Sequence, residues 1–333
     1  MDNLTVINGD ELSIGQIANQ VASNHLFDDY TRRKSANTLR RHKADLELFT
    51  KYLDECQLYD RQDLMSNPES WHGITWGLIA GFVQWMLSAG YAIGTINNRL
   101  STVKVYAMLA MKAGVIPAQE GYLIKSISGY ASNEARKVDA KREVTRQVDS
   151  KKSEATPISA AQADALKNQP DSPVGRRNRL IMHLLLEHGL RVSEVCLLKI
   201  SDFDRDTNIL SFYRPKVDKP AVPHLLKNGS LSAMLAYLDN DAIGDGALLR
   251  GSRKGNKLDK PGIAEQNVNA LVGKLGESIG ISGLSPHDCR HYCATRLARQ
   301  GKGIKELMDF FGWTSPSTAM RYIDSEKFVE GDD

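Results

Sequence analysis

A charged stretch divides this chain into two parts, each long enough to fold around its own core. Residues 131–156 contain seven basic and five acidic residues and almost no large apolar side chain. Such a composition cannot bury enough apolar surface to build a core, so we predict a linker there. The basic residues of this linker are compatible with a solvated spacer and with a segment that wraps around a partner, and composition does not distinguish the two.

The part before the linker shows the periodicity of amphipathic helices. Residues 38–53, 75–88 and 95–113 each repeat apolar side chains at helical spacing. For the last of these helices, Thr95 is a predicted N-cap and Gly114 a predicted C-cap. We therefore expect a small helical bundle.

The part after the linker predicts further helices together with a short β-segment. Helices are expected over residues 156–168 and 176–188, and again from about residue 230 onward. Between them, residues 208–213 and 220–226 have the composition of short strands around a polar turn.

Together these patterns predict a mainly α fold, in which an N-terminal helical bundle precedes a mixed α/β, mostly helical domain with a small antiparallel β-sheet. The expected divisions are an acidic N-terminal segment at 1–29, the bundle at 30–130, the linker at 131–156, the second domain at 157–323 and an acidic C-terminal tail at 324–333.

The formal net charge of +3 hides an uneven distribution of charge. Residues 1–29 carry five acidic and no basic side chains, and residues 324–333 carry five acidic side chains and one lysine. All but one of the 43 basic residues lie between these two ends, against three quarters of the 40 acidic ones. A basic body suits a polyanionic partner such as nucleic acid, and an ordinary basic surface has the same composition.

Several classes of protein are excluded by composition. The four cysteines are too few and too scattered for a disulfide framework. No apolar run reaches the length that crosses a bilayer, and the N-terminus is acidic where a signal peptide would be basic. We therefore expect a soluble, cytoplasmic protein of a reducing compartment, with no membrane partner.

Two clusters in the second part combine arginine with acidic or imidazole side chains. In GLRVSEV, Arg191 and Glu194 lie three residues apart on one face of a short helix. This pair could belong to a functional site or be an ordinary surface ion pair. In SPHDCRH, Ser285 is a predicted N-cap whose capping box is completed three residues later. His287 and Arg290 then lie near the positive end of that helix, a geometry that suits an anion.

The same helix raises the question of a zinc site. His287, Cys289, His291 and Cys293 alternate along it. Their side chains therefore point in different directions and cannot converge on one ion. We predict no metal site.

Two further clusters have little meaning on their own. Trp313 and Tyr322 lie in FGWTSPSTAMRYI, and both residue types usually belong to a core. Lys216 and Lys219 flank the predicted hairpin turn, where lysines are ordinarily solvated.

The order and spacing of these clusters resemble the tyrosine recombinase, or phage integrase, family. GLRVSEV resembles its first-arginine motif, HDCRHYCAT its HxxR box, and FGWTSPSTAMRYI its closing box with the tyrosine. The resemblance covers residues 157–323 by motif and 30–130 by pattern, because the family has an N-terminal helical core-binding domain. The chain departs from the commoner pattern at Trp313, where His is more frequent, and at Cys289, where Leu is usual.

The resemblance implies a set of catalytic residues, which are Arg191, Lys216, His287, Arg290, Trp313 and Tyr322. Tyr322 would attack a DNA phosphate to form a 3′-phosphotyrosyl link, and strand exchange through a Holliday junction would need no ATP, metal or other cofactor. Arg191 and Arg290 would hold the phosphate oxygens, with Glu194 supporting Arg191. His287 would assist proton transfer, Trp313 would donate its indole N–H to a phosphate oxygen, and the general acid would be Lys216, with Lys219 close enough to compete.

The implied partner is double-stranded DNA with short inverted-repeat core sites, bound by a tetramer across two sites in the nucleoid. An accessory directionality factor would fit the family, and the acidic tail would dock on a neighbouring protomer. The two domains would close around the duplex as a clamp. The side chains expected to contact DNA are Arg32, Arg33, Lys34, Arg40, Arg41, Lys43, Asn97, Asn98, Arg99 and Lys104.

Two other functions are open from the residues. A type IB topoisomerase or a telomere-resolving enzyme would use the same chemistry. A non-catalytic DNA-binding regulator would retain the fold without the activity. The intact set of Arg, His, Arg and Tyr argues against such a regulator.

Overall fold

The structure is a computed structural model that describes residues 11–23, 25–59, 63–142, 155–242, 244–252 and 257–327. The chain divides into an N-terminal unit, Met1–Ser153, and a C-terminal unit, Glu154–Asp333. Each unit has its own buried apolar cluster. Among the described residues, no helix is long and apolar enough to cross a membrane.

Helices build the N-terminal unit. They are α1 (Glu11–Ser23), α2 (Leu26–Arg32), α3 (Ala36–Glu55), α4 (Trp76–Ser88), α5 (Ile93–Lys112), α6 (Ala118–Ser126) and α7 (Ser132–Lys141). A 3₁₀ turn, Pro68–Trp71, lies between α3 and α4.

Aromatic side chains fill the middle of the N-terminal unit. Three of these rings are fully buried: Phe49 in α3, Trp71 in the 3₁₀ turn and Phe82 in α4. The Phe49 ring centre lies 6.0 Å from that of Trp71 and 5.0 Å from that of Phe82. The Trp71 indole N–H donates to the Leu64 carbonyl at 2.9 Å, so the polar group of this buried ring is satisfied.

The ends of α5 differ slightly from the predicted ones. The helix begins at Ile93 with no capping side chain, so the predicted N-cap at Thr95 is wrong. Ile93 is buried in the core, and this burial brings the preceding turn into the helix. At the other end, Ala113 is the cap residue and Gly114 follows at φ 80°, with its N–H bonded to the Met111 carbonyl at 3.0 Å. Gly114 therefore ends the helix from the position after the cap.

Two of the expected divisions do not match the helices of the N-terminal unit. The acidic segment 1–29 ends inside α2, whose Phe27 is buried in the N-terminal core. The expected linker 131–156 begins with α7, whose Val138 packs against the same core. Residues 143–154 of that linker lie outside the described residues. The high charge of both stretches concealed short helices that need few apolar side chains to pack.

The C-terminal unit combines helices with short strands. Its helices are α8 (Ala160–Lys167), α9 (Pro173–Leu186), α10 (Val192–Leu197), α11 (Asn228–Asn240), α12 (Glu265–Ser278), α13 (Pro286–Arg299), α14 (Ile304–Phe311) and α15 (Pro316–Lys327). Its strands are β1 (Phe203–Asp204), β2 (Ile209–Leu210), β3 (Tyr213–Arg214), β4 (Lys219–Pro220) and β5 (His224–Leu225).

The strands form small antiparallel sheets. One has the order β1-β2-β5, and β3 pairs with β4. The predicted segments 208–213 and 220–226 thus pair with each other, whereas β1 was not predicted. The turn between β3 and β4 falls at residues 215–218, so Lys219 lies in the ladder opposite Arg214. The predicted mainly α fold with a small antiparallel sheet is confirmed.

Helix α9 lies at the centre of the C-terminal core and contacts α8, α10, α11 and α13. A helix surrounded in this way must be apolar on most of its sides. It begins earlier than predicted because Ser172 caps it, accepting the Gly175 N–H at 3.1 Å, and Pro173 fits its first turn. The fully buried side chains of α9 are Leu180, Ile181, Met182, Leu184, Leu185 and Leu186.

Local sequence sets the helix ends from which the candidate site is built. Ser285 accepts the Asp288 N–H, and Asp288 accepts the Ser285 N–H at 2.8 Å, which is the predicted capping box of α13. Gly312 ends α14 in the left-handed conformation at φ 61°. A Cβ at Gly312 would lie 2.5 Å from Nη1 of Arg214, so the backbone and the neighbouring side chain both require glycine.

Candidate active site

Helix ends in the C-terminal unit bring four of the predicted catalytic side chains into one chain of contacts. Arg191 is the N-cap residue of α10, and Arg290 lies in the first half of α13. Trp313 follows the end of α14, and Tyr322 lies in α15. Because α13, α14 and α15 all contact one another, this three-helix group positions the last three residues.

Glu194 binds Arg191 twice. Its carboxylate accepts the Arg191 guanidinium at 2.7 Å and the Arg191 backbone N–H at 2.8 Å, which closes the first turn of α10. The Arg290 guanidinium lies 4.0 Å from one carboxylate oxygen of the same residue. Only 1% of the Glu194 side chain is exposed. A buried carboxylate between two guanidiniums fixes both in place and offsets part of their charge.

Arg290 is enclosed by backbone carbonyls and aromatic rings. Its guanidinium donates to the carbonyls of Gly189 and, at 2.6 Å, of Phe311. It lies 4.9 Å from the ring centre of Phe311 and 5.9 Å from that of Trp313. Burial and the positive charge of Arg191 lower the pKa of Arg290. An anion bound beside this guanidinium would offset both effects.

Two rings pack against Tyr322. The Trp313 ring is parallel to it, with centres 5.2 Å apart and planes 3° apart, and the His291 ring centre lies at 4.7 Å. Tyr322 is 9% exposed. Burial raises the pKa of its phenol, whereas the nearby Arg290 lowers it. The phenol is therefore held in a fixed orientation beside a buried positive charge.

The other two predicted catalytic residues are exposed. His287 lies in the first turn of α13. Burial lowers the pKa of the neighbouring His291, and the charge of His287 lowers it further. Lys216 lies in the turn 215–218, and Lys219 begins β4. Within the part of the chain that the structure describes, neither lysine joins the contacts that link the arginines to Tyr322.

A further arginine close to Arg191 and Arg290, the buried Arg214, was not predicted. Arg214 is 1% exposed, donates to the Phe310 carbonyl at 2.6 Å and lies 3.4 Å from Nε2 of His224. Leu210, Phe212 and Arg214 are buried while the residues between them are exposed. This alternation, which is typical of a strand, is the sequence signal that could have identified a buried arginine.

Two histidines form the surroundings of Arg214. The His224 ring centre lies 5.6 Å from that of His188 and 4.4 Å from that of Phe310. Burial lowers the pKa of His188 to about 4 and that of His224 well below the ordinary histidine value. Both rings are therefore neutral near pH 7 and add no charge beside the buried arginines.

The first group of predicted DNA-contacting residues is exposed on α2, on α3 and between them. Its members are Arg32, Arg33, Lys34, Arg40, Arg41 and Lys43. Short local contacts orient some of them, since Arg40 donates to Asn37 at 2.8 Å and Lys34 lies 4.6 Å from the Tyr30 ring centre. Asn98 on α5 is exposed as well. These side chains are accessible to a phosphate backbone.

The other predicted DNA contacts on α5 have partners inside the N-terminal unit. The Asn97 amide exchanges two hydrogen bonds with the Tyr130 backbone, at 2.8 and 2.9 Å. Arg99 lies 3.6 Å from the Asp45 carboxylate. Lys104 donates to the carbonyl of Ile127, just beyond α6, at 2.5 Å and to the carbonyl of Lys125, within α6, at 2.9 Å. Positive charge in the sequence did not distinguish these internal contacts from an exposed surface.

The cysteine and histidine side chains of α13 diverge as the sequence predicts. Cys289 and Cys293 are fully buried, whereas His287 is exposed. Across the described ranges, no group of three or more His, Cys, Asp or Glu side chains is placed to hold a metal ion. That the protein uses no cofactor stays a prediction.

Comparison with known proteins gives two family matches. Residues 156–328 match the phage integrase family, and this match alone spans more than half of the chain. Residues 25–114 match the phage integrase N-terminal SAM-like domain.

Tyrosine recombinases of bacteria and archaea are similar in sequence. The tyrosine recombinase XerC of Roseiflexus castenholzii is 25% identical over 303 residues, covering 90% of this chain and 85% of its own. The tyrosine recombinase XerA of Thermococcus kodakarensis is 33% identical over 150 residues, covering 45% of this chain and 51% of its own.

Solved structures share the fold at low sequence identity. The Tn1549 transposon integrase in complex with transposon right end DNA has a TM-score of 0.60 at 17% identity, covering 92% of this chain and 98% of that one. A lambda integrase dimer bound to a COC′ core site has a TM-score of 0.59 at 16% identity, and the match covers 99% of this chain and 84% of that one. At these identities the likeness establishes the fold, and side-chain roles rest on the geometry of this chain.

Lowering the pH should destabilise the C-terminal unit through His188. This residue takes up a proton near the ordinary pKa of 6.5 when unfolded but only near pH 4 when folded. Between these values protonation favours the unfolded state, so stability falls as the pH falls, by up to about 1.4 kcal/mol per pH unit for one such group. In urea titrations from about pH 7 to about pH 4.5, His188→Phe should lose less stability than the wild type.

The matched control is His72→Phe, which removes an exposed histidine from the N-terminal unit. It should keep the wild-type dependence of stability on pH. A His188→Phe protein that also kept it would show that His188 is not the group that titrates.

Proposed function

The chain belongs to the phage integrase family, and from this membership we propose that it is a site-specific tyrosine recombinase that breaks and rejoins DNA strands. The observation that carries the proposal is the contact chain from Arg191 through Glu194 and Arg290 to Trp313 and Tyr322. Through this chain of contacts the Tyr322 phenol is connected to two guanidiniums, a combination that suits attack on a phosphodiester. Relatives named tyrosine recombinase support the same activity.

In this mechanism the two arginines act on the charge of the scissile phosphate. Its non-bridging oxygens repel a nucleophile, and guanidiniums offset that charge through bidentate hydrogen bonds that strengthen in the transition state. Arg191 and Arg290 are already held by Glu194 and by backbone carbonyls. Little reorganisation is then needed when the phosphate enters. Trp313 would add its indole N–H to one of the same oxygens.

Tyr322 is the proposed nucleophile. Its oxygen attacks phosphorus, the bond from phosphorus to the 5′-oxygen breaks, and a 3′-phosphotyrosyl bond remains. The phenol has an ordinary pKa of about 10, which burial raises further, so its proton must be accepted during the attack. We assign that role to His287, and His291 holds the phenol in place through the contact of their rings.

Lys216 is the proposed general acid, which gives a proton to the departing 5′-oxygen. Rejoining reverses these steps, with a 5′-hydroxyl from the same or another duplex attacking the phosphotyrosine. Because the energy of the phosphodiester is kept in the covalent link, ATP is not needed, and the side chains named here supply the chemistry without a metal or other cofactor.

The proposed substrate is double-stranded DNA with short inverted-repeat core sites, joined in the nucleoid by a tetramer that exchanges strands through a Holliday junction. A lambda integrase dimer bound to a core site supports DNA binding by this fold. An accessory directionality factor would bias the outcome.

The proposed division of labour follows the expected domains. The bundle 30–130 binds the core site, 131–156 links it to the catalytic domain 157–323, and the tail 324–333 docks on a neighbouring protomer. Residues 328–333 of that tail lie outside the described residues.

Tyr322→Phe should abolish formation of a covalent protein–DNA adduct, because phenylalanine has no oxygen to attack phosphorus. The wild-type protein is incubated with duplex fragments from the flanks of its own gene, denatured, and examined for DNA that migrates with protein. Tyr292→Phe, at a half-buried tyrosine of α13, is the control and should keep the adduct.

Three results would contradict this proposal. Adducts in Tyr322→Phe would refute the nucleophile. Relaxation of supercoiled DNA without a defined cleavage position would favour a topoisomerase, and tight binding to one site without any wild-type adduct would favour a regulator.

Lys216→Ala should slow adduct formation by about 100-fold, the usual contribution of a general acid. Replacing the bridging 5′-oxygen by sulfur should restore much of the rate, since a thiolate leaves without a proton. Lys219→Ala is the matched control. Normal cleavage by Lys216→Ala, with loss in Lys219→Ala, would assign the proton to Lys219 instead.

The exposed arginines of α3 should contribute to DNA affinity through phosphate contacts. In the double variant Arg40→Gln, Arg41→Gln, the slope of log affinity against log salt concentration should shrink by about 2, because each phosphate contact releases about one counterion. The control is Arg205→Gln, an exposed arginine paired with Asp239 in the C-terminal unit. An unchanged slope in the double variant would place the DNA elsewhere.

A further inference from the structure

Three successive carbonyl groups, the last two of α14 and that of the residue after it, each accept a hydrogen bond from a different arginine. Arg214 donates to Phe310 at 2.6 Å, and Arg290 donates to Phe311 at 2.6 Å. Arg191 reaches the carbonyl of Gly312 at a longer 3.5 Å. Three arginines from α10, α13 and β3 therefore meet at one helix end.

The chemistry of a helix end explains why arginines gather there. The final carbonyls of a helix have no partner within the helix, and they form the negative end of its dipole. Around α14, the backbone N–H groups of Gly312 and Trp313 bond to Asp309 and Met308. The next three carbonyls along the chain are those taken by the arginines.

Arg214 gains little stability from its own surroundings. Among the described residues, Nε and Nη1 have no hydrogen-bond partner although both atoms are buried. Burying a guanidinium with so few acceptors costs free energy, and an apolar side chain of similar size would avoid that cost. Its hydrogen bond to the Phe310 carbonyl, and the space that it occupies where a side chain at position 312 would lie, point instead to a role in the geometry of the site.

The charges around Arg290 also involve Arg214. Arg191, Arg214 and Arg290 face one carboxylate, that of Glu194, and the charges of Arg191 and Arg214 both lower the pKa of Arg290 while Glu194 raises it. Arg214 is therefore coupled electrostatically to the arginine that is proposed to bind the phosphate, as well as lying beside the same helix end.

We propose that Arg214 is a positioning residue of the active site, which holds the end of α14 so that Arg290 and Arg191 face the scissile phosphate. It acts through the Phe310 carbonyl and does not touch DNA. Its effect on catalysis rests on the proposed recombinase function, whereas its effect on the two arginines exists without DNA.

The test uses two substitutions of Arg214 and one matched control. Arg214→Met removes the charge and the hydrogen-bond donors, and Arg214→Lys keeps the charge and a single donor nitrogen in place of the planar guanidinium. Arg177→Met is the control, since Arg177 is 5% exposed and donates to the Arg250 carbonyl at 3.0 Å elsewhere in the C-terminal unit. It removes a buried arginine–carbonyl bond without changing α14.

The first measurement needs no DNA. Side-chain NMR of the full chain with ¹⁵N-labelled arginine reports the guanidinium groups of Arg191 and Arg290. Arg214→Met should shift and broaden both signals, and Arg214→Lys should restore them in part. Arg176, paired with Asp241 at 2.6 Å, is the internal reference and should not change. Unchanged Arg191 and Arg290 signals in Arg214→Met, or equal changes in Arg177→Met, would overturn the proposal.

The second measurement follows single-turnover cleavage of nicked duplexes that carry the mapped cleavage position. On the natural phosphodiester, Arg214→Met should lower the maximal rate by about 100-fold, with the half-saturating DNA concentration changed by no more than about twofold. On a methylphosphonate, which lacks the negative charge, the variant should lose much less, because arginine alignment matters less there.

A merely structural loss would lower cleavage of both substrates equally, and that result would also overturn the proposal. Absence of an adduct in the wild type would instead refute the recombinase function, and the NMR measurement would still decide the role of Arg214.

Discussion

Buried arginines need acceptors, and in the C-terminal unit the carbonyl end of α14 provides them. Arg290 donates to Phe311 there, and Glu194 offsets part of the positive charge. Other features of the site follow from this constraint. The position after α14 has to be glycine, because a side chain would enter the space of a guanidinium. The histidines nearby stay neutral, since burial lowers the pKa of His188 to about 4, and further positive charge would repel the arginines.

The same helix end also holds Tyr322, the proposed nucleophile. Trp313 follows Gly312, the residue that ends α14, and stacks on Phe311, at 4.6 Å between ring centres, and on Tyr322. The aromatic rings thus connect Arg290 to the phenol over a short distance, and both of these side chains are buried. Burial strengthens the electrostatic interactions that a phosphate would make with them.

The sequence identified the residues whose roles are local or carried by a motif. Ser285 begins α13 as predicted, because capping depends on neighbours three residues apart. Thr95 failed as a cap because core packing extended the helix beyond it. The alternation along its strand could have marked Arg214 as buried, but its partner at a helix end about 100 residues away could not be predicted from any periodicity. The basic residues of α5 show the same limit, because Lys104 is bonded to backbone carbonyls inside its own unit and exposure cannot be read from charge.

The central claim is that Tyr322 becomes covalently joined to a DNA phosphate. It is tested most directly by mass spectrometry of the adduct after digestion with trypsin and nuclease. Trypsin cuts after Arg321 and Lys327, so the peptide 322–327 should carry a nucleotide through a 3′-phosphate on its tyrosine, and the other DNA end should be a 5′-hydroxyl. A nucleotide on another peptide, or one joined through its 5′-phosphate, would contradict the account.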